Sequence, residues 1–237
     1  MAVITDDAIR FMADLWENNN KDWFDANRER YERVLRDPLK ALRDELTTPV
    51  SLLLPDAPKP KISRINQDLR FHKDRPPYKQ HMWISWVQPP AELMAALSRD
   101  GWSGVVAIGG DKDELATWRR NLITHHGLWQ SYATALGLGK DVNVHAGNPY
   151  KKPLFDNIPE DVFDLVQARQ LYIYPHASPH FSASPESDLL KQMALLLPVH
   201  LFATIATAHL PEVLRELAES VIPPDKKVAK VWAATRG

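Results

Sequence analysis

The spacing of apolar residues changes along the chain, and each change marks a different element. From Thr5 the spacing is helical. Ile9, Met12, Ala13 and Trp16 recur at three-to-four intervals behind a hydroxyl that can cap, and Asn18-Asn19-Asn20 suits a stop. Asp22 is placed to cap a second helix with Asp25 in its first turn and Trp23, Asn27, Tyr31, Val34 and Leu35 on its inner stripe. Pro38 has no N–H for an interior helical bond. Leu39, Leu42 and Leu46 therefore belong either to a kinked continuation or to a new helix capped by Asp37 with Pro38 in first position. Pro49, Pro55, Pro58 and Pro60 read as a stiff connection.

The period then shortens to two. From Ile62 to His72 the pattern predicts a strand, with Ile65, Leu69 and Phe71 on one side and Arg64, Asn66, Asp68, Arg70 and His72 on the other. A second strand, His81 to Val87, carries Met82, Ile84 and Trp86 on one face and is expected to pair antiparallel with the first through the turn Lys73 to Lys79. Pro89-Pro90 should open a short helix reaching about Ser98, and Trp102 to Ile108 reads as a third strand ending in Gly109-Gly110. Asp111 with Glu114 forms a capping box before Leu115, Trp118 and Leu122. Farther on, residues 126–137 predict a helix, Val142 to His145 a strand, Asp161 to Gln167 a helix and Gln170 to Tyr174 a strand. From Ser184-Pro185-Glu186 onward the chain is helical. The pattern is that of an α+β protein: one domain over residues 1–237, with a mixed, mainly antiparallel central sheet of about four to six strands. Helical regions at 1–48 and 184–222 pack against a sheet core at 62–110.

Composition narrows the chemistry. The 237 residues are 44% hydrophobic and 25% charged, an ordinary globular balance that excludes fibre and wholesale disorder. There is no cysteine, so a disulfide scaffold, a thiol nucleophile and cysteine-held zinc or iron–sulfur are excluded. The segment from Met193 to Leu210 is apolar but broken by Pro198 and His200, and the first residues are acidic rather than basic. A soluble cytoplasmic protein with no membrane partner is expected. Neither G-x-S-x-G, a P-loop, G-x-G-x-x-G nor H-E-x-x-H occurs, and Pro179 separates His176 from His180. The histidines His125, His126, His145, His176 and His180 thus give no metal signature, and no cofactor is expected.

Charge is informative only locally. The chain carries 29 Lys and Arg against 30 Asp and Glu. Between Lys59 and His81, however, seven cations (Lys59, Lys61, Arg64, Arg70, Lys73, Arg75, Lys79) face two acids, Asp68 and Asp74, a local balance of +5. In the predicted register Asp68 would orient Arg64 and Arg70, whose planar forks suit phosphate or carboxylate. The competing reading is a solvated face of ordinary surface ion pairs. Pro76-Pro77 stiffens the turn, so the basic loop can present fixed donors.

Two long motifs carry a resemblance. Asn18-Asn19-Asn20-x-x-Trp23-Phe24-x-x-Asn27-Arg28-x-x-Tyr31-Glu32 is the first. Ile62-Ser63-Arg64-Ile65-x-x-Asp68-x-Arg70-Phe71-x-Lys73-Asp74-x-x-Pro77-Tyr78-Lys79 is the second. Together with Gly109-Gly110 and Trp118-Arg119 they resemble the conserved family called domain of unknown function 2461. The chain departs from that pattern at His72, where the family typically has Ser, and at Tyr150 to Asn157, where the family has a Pro-Arg-Gly-like segment. The resemblance implies which residues matter and supplies no activity.

Three functions compete. The first is a small-anion cleft between the basic hairpin and the N-terminal helices, with Arg64, Asp68, Arg70, Lys73, Tyr78, Lys79, Asn20 and Trp23 as ligand contacts and Trp83 and Trp102 as walls. Asp68, Asp74 and Tyr78 are its candidates for acid–base work. A nucleic-acid-binding module would use the same cations with Phe71, Tyr78, Trp83 and Trp86 as stacking faces. The third is a structural protein whose charged face meets a partner or a second copy. Gly109-Gly110 before a helix could also cradle an anion, although Asp111 competes for those N–H groups.

Overall fold

The computed structural model describes residues 3–54, 56, 59–70 and 74–236. Its first helix, α1 (Asp6–Glu17), starts at Thr5, whose hydroxyl accepts from the Asp7 N–H. It buries Ala8, Ile9, Phe11, Met12 and Leu15, while Trp16 stays on the surface. The second, α2 (Lys21–Ala26), is capped not by Asp22 but by Asn20, whose side-chain oxygen accepts from the Trp23 N–H. Asp22 falls in the first turn, where its charge meets the dipole.

The next helices form one rod with a defect. After α3 (Arg28–Tyr31) the backbone widens into a π-helical turn, Glu32–Arg36, before α4 (Asp37–Leu53). Pro38 supplies the reason. It offers no N–H, and its ring pushes on the carbonyl four residues back, so the turn before it adopts wider hydrogen bonding. Of the two readings of Pro38, the kinked continuation holds. Pro49 lies inside α4 rather than in a connection, and Pro55 and Pro58 are outside the described residues.

Among the described residues, the predicted strand from Ile62 to His72 is mostly absent. Only β1 (Lys61–Ile62) is regular, paired antiparallel with β2 (His81–Gln88) through Ile62↔Ile84. Beyond it the segment still runs beside its partner, with the Lys79 N–H donating to Ile65 O at 2.7 Å, the Gln67 N–H to Pro77 O at 2.9 Å, and a bridge Asn66↔Tyr78. Two causes break the ladder. Pro76 and Pro77 have no N–H to donate, and Asp68 turns its own chain by accepting the Arg70 N–H at 3.1 Å. Phe71, His72 and Lys73 lie outside the described residues.

A six-stranded antiparallel sheet has the order β1-β2-β3-β4-β6-β5, where β3 is Ala91–Ser98, β4 Gly101–Gly109, β5 Val142–Gly147 and β6 Gln170–Pro175. The helix expected from Pro89-Pro90 to Ser98 is therefore strand β3. Its Ala, Leu, Met and Glu favour helix, but burial on the sheet overrides that preference. The chain divides into two compact units: residues 1–86, 94–103 and 177–190 in one, and 87–93, 104–176 and 191–237 in the other.

The first unit holds α1–α4 and the basic segment. The second holds α5 (Ala116–Thr124), α6 (His126–Leu136), α7 (Phe163–Gln167), most of α8 (Pro185–Thr204), α9 (Leu210–Ser220) and α10 (Lys226–Ala233). Its core includes Trp118, Trp129, Tyr132, Phe202 and Trp232, with Trp118 edge-on to Trp129 at 5.4 Å. The capping box forms as predicted, Asp111 accepting from the Glu114 N–H and Glu114 from the Asp111 N–H. Among the described residues no helix is long and apolar enough to cross a membrane.

Candidate functional site

The first unit contains a cleft of about 500 Å³ between the N-terminal helices and the basic segment. Its floor is apolar: Phe24, Tyr31, Leu39, Ile65, Tyr78 and Met82 are all buried. The rim is cationic. Arg28, Arg36, Lys40 and Arg43 come from the helical rod, and Arg64 comes from the irregular segment after β1.

The rod aligns these groups through its spacing. Arg28, Glu32, Arg36 and Lys40 follow one another at intervals of four, so they share a helical row. The π-turn adjusts that row within the cleft wall. Each helix cation already has a carboxylate: Arg28 with Asp25 at 2.6 Å, Arg36 with Glu32 at 2.9 Å, Lys40 with Asp37 at 2.8 Å and Arg43 with Asp44 at 2.7 Å. Of these acids only Glu32 lines the cleft. The cleft-facing side is thus richer in positive charge than the sequence of the rod.

The facing wall is positioned by a register slip. Four residues separate Ile62 from Asn66, while six separate their partners Tyr78 and Ile84, so the strand following Tyr78 bulges. Asn19 fixes this bend by clamping Tyr78 on both sides. Its amide donates to Tyr78 O at 2.9 Å, and its oxygen accepts from the Tyr78 N–H at 3.0 Å. Tyr78 then stacks on Phe24 at 4.1 Å, and its phenol is held above its ordinary pKa, first by burial and then by Asp25. At neutral pH it is a hydrogen-bond donor.

Arg64 differs from the rod cations, because no carboxylate pairs with it among the described residues. Lys79 lies over the Trp83 ring at 4.5 Å, and its pKa is lowered by burial and by the charge of Arg64. His81 stacks on Trp83 at 5.2 Å and is also lowered, first by loss of solvent and then by Lys79. Lys79, His81 and Trp83 stand beside the cleft and do not line it, so Arg64 is its one cation from this wall among the described residues.

The other predicted residues are dispersed. Asp68 and Arg70 do pair, by a two-pronged contact reaching 2.6 Å, but Arg70 is 78% exposed and neither lines the cleft. Asp68 does not orient Arg64. Asp74 is exposed, Lys73 is outside the described residues, Asn20 is spent on capping, and Trp23 packs on Phe11 at 5.7 Å. Trp102 is stacked on Phe181 and donates to His180 O, away from the cleft lining. Gly110 gives no anion cradle, since Asp111 takes the N–H groups of Asp113 and Glu114 and Gly110 donates to Arg169 O. Among the described residues no group of three His, Asp or Glu side chains could hold a metal ion.

Sequence reasoning took Asn20 rather than Asn19 from the Asn18-Asn19-Asn20 run and missed the rod cations Arg36, Lys40 and Arg43. The i, i+4 row was visible but reads as a solvated ion-pair face, because its acids are local and its facing wall is some thirty residues away. With this geometry in place, a comparison with known families matches residues 7–197 to the family described as "Conserved hypothetical protein (DUF2461)", and the chain belongs to it. No curated protein and no solved structure matches.

Proposed function

For this member of the DUF2461 family we propose that the cleft binds a small organic anion, a phosphate or carboxylate carried on an apolar or aromatic body. The observation that carries the reading is Arg64. Among the described residues it is a cation without a carboxylate, and it shares a cleft over a buried apolar floor with four helix cations. The cleft is of the size that suits a small ligand, for which sites typically span about 300–1,000 Å³. Arg64 supplies the uncommitted charge, the helix cations add field, the protonated Tyr78 can donate, and Phe24, Leu39 and Met82 accept the apolar body.

A nucleic-acid reading is less well served. Among the described candidates Trp86 and Tyr78 are buried, and Trp83 packs against Lys79 and His81, so these aromatic faces are taken for base stacking. Calorimetric titration with phenyl phosphate and with inorganic phosphate tests the proposal. Phenyl phosphate should bind about tenfold tighter or better, because burying a ring is worth about 1.5–3 kcal/mol. Equal affinities for the two anions, or no binding of either, would overturn it.

A further inference from the structure

The second unit carries another concentration of positive charge. Arg119, on α5, is fully buried. Its Nε donates to Val166 O at 2.8 Å, and its two terminal nitrogens donate to Ala168 O at 3.0 Å and Lys112 O at 2.9 Å. Among the described residues no carboxylate forms an ion pair with it, and burial lowers its pKa, offset in part by Tyr150 and Asp111. The guanidinium lies 5.3 Å from the Tyr150 ring centre, and Arg169 lies 4.2 Å from the same ring.

Tyr150 belongs to a concave loop that also presents Lys151 and Lys152. Arg169, Lys151 and Lys152 are exposed, and none has an ion-pair partner among the described residues. The loop is stiff. The buried Gln167 side chain donates to Tyr150 O at 3.2 Å and Lys152 O at 3.0 Å and accepts from the Leu154 N–H. Asn148 sits at φ 51° and ties to Gln170, and the Arg169 N–H donates to Gly147 O. A cationic loop fixed this firmly loses little conformational entropy on binding.

We infer that Lys151, Lys152 and Arg169, on the platform made by Tyr150 and Arg119, form a second anion site that takes the phosphate groups of an oligophosphate chain. Three exposed cations on a rigid concave surface match several phosphates better than one, and the buried Arg119 behind them adds field without being consumed by a carboxylate. The phosphates can come from a free oligophosphate or from a nucleic-acid strand. The site is separate in chemistry from the Arg64 cleft, which has an apolar floor and lies in the first unit.

Nuclear magnetic resonance of the full chain, titrated with tripolyphosphate, tests this. Amide signals of residues 148–154 and 169 should shift. The Lys151→Ala/Lys152→Ala double variant, changed only at exposed positions, should bind at least about tenfold more weakly, while Arg64→Ala leaves these shifts unchanged. Competition by oligothymidylate at lower phosphate concentration would identify a nucleic-acid strand as the source, and its failure to compete would identify the free oligophosphate. Unmoved signals at millimolar tripolyphosphate, or equal affinity in the double variant, would overturn the inference.

Discussion

The two basic regions of this protein handle charge in opposite ways. In the first unit, the exposed Arg70 has its guanidinium held by Asp68, and the rod cations that line the cleft each keep a neighbouring carboxylate. In the second, Arg119 is buried and its guanidinium donates to backbone carbonyls. The segment most crowded with charge in the sequence is thus the one where single charges matter least to stability, because exposed pairs are screened. Arg119, on α5 and outside that charge-dense segment, is the costly one, since buried polar groups gain or lose their full desolvation.

Arg119→Met should break this contrast most severely. It leaves the carbonyls of Val166, Ala168 and Lys112 without their donor, and losses of about 1–3 kcal/mol per buried group predict a total on the order of 3 kcal/mol or more. Denaturant unfolding reads it. A midpoint equal to the parent's would mean that water or neighbouring donors replace the guanidinium at no cost.

His200 sharpens the same point through pH. It is fully buried on α8, neither ring nitrogen has a hydrogen-bond partner among the described residues, and burial pushes its pKa down to about 4 from 6.5. The unfolded chain therefore takes up a proton that the folded chain refuses. Stability should be whole above about pH 6.5, fall as pH drops toward 4, and lose nothing further from this group below that. The full loss is about 3 kcal/mol, from about 1.4 kcal/mol per pH unit. Subtracting the pH profile of His200→Leu from the parent's isolates this contribution from the carboxylates, and identical profiles would contradict it.

A smaller effect is expected at Asn19. Asn19→Ala removes both bonds to the Tyr78 backbone, at about 1 kcal/mol each. Hydrogen exchange at Tyr78 and Lys79 should quicken along with the lower stability. Unchanged exchange there would show that the Phe24 stack, not the Asn19 clamp, sets the bend.

Much of this was legible in the sequence. Thr5, the Asp111 and Glu114 box and the strands β2, β4 and β6 declare themselves locally, by capping chemistry and by alternation. β3 did not, because Ala91 to Ser98 is written in helix-favouring residues and becomes a strand only by pairing. The cleft was half legible. Arg64 and Tyr78 were found from charge and motif, but Asn19 replaced Asn20 as the residue that reaches across, and Asp68 and Arg70 turned away. A register slip of two residues and the turn closed by Asp68 accepting the Arg70 N–H accompany those directions, and neither is written in hydrophobic period.

The cleft, rather than the charge-dense turn, is the centre of the functional account, and Arg64 and Arg70 lie six residues apart on either side of that distinction. Calorimetric titration of the parent, Arg64→Ala and Arg70→Ala with phenyl phosphate tests it most directly. Arg64→Ala should bind about tenfold more weakly, the equivalent of about 1.4 kcal/mol, while Arg70→Ala matches the parent in affinity. Loss of binding in Arg70→Ala with Arg64→Ala unaffected would contradict it.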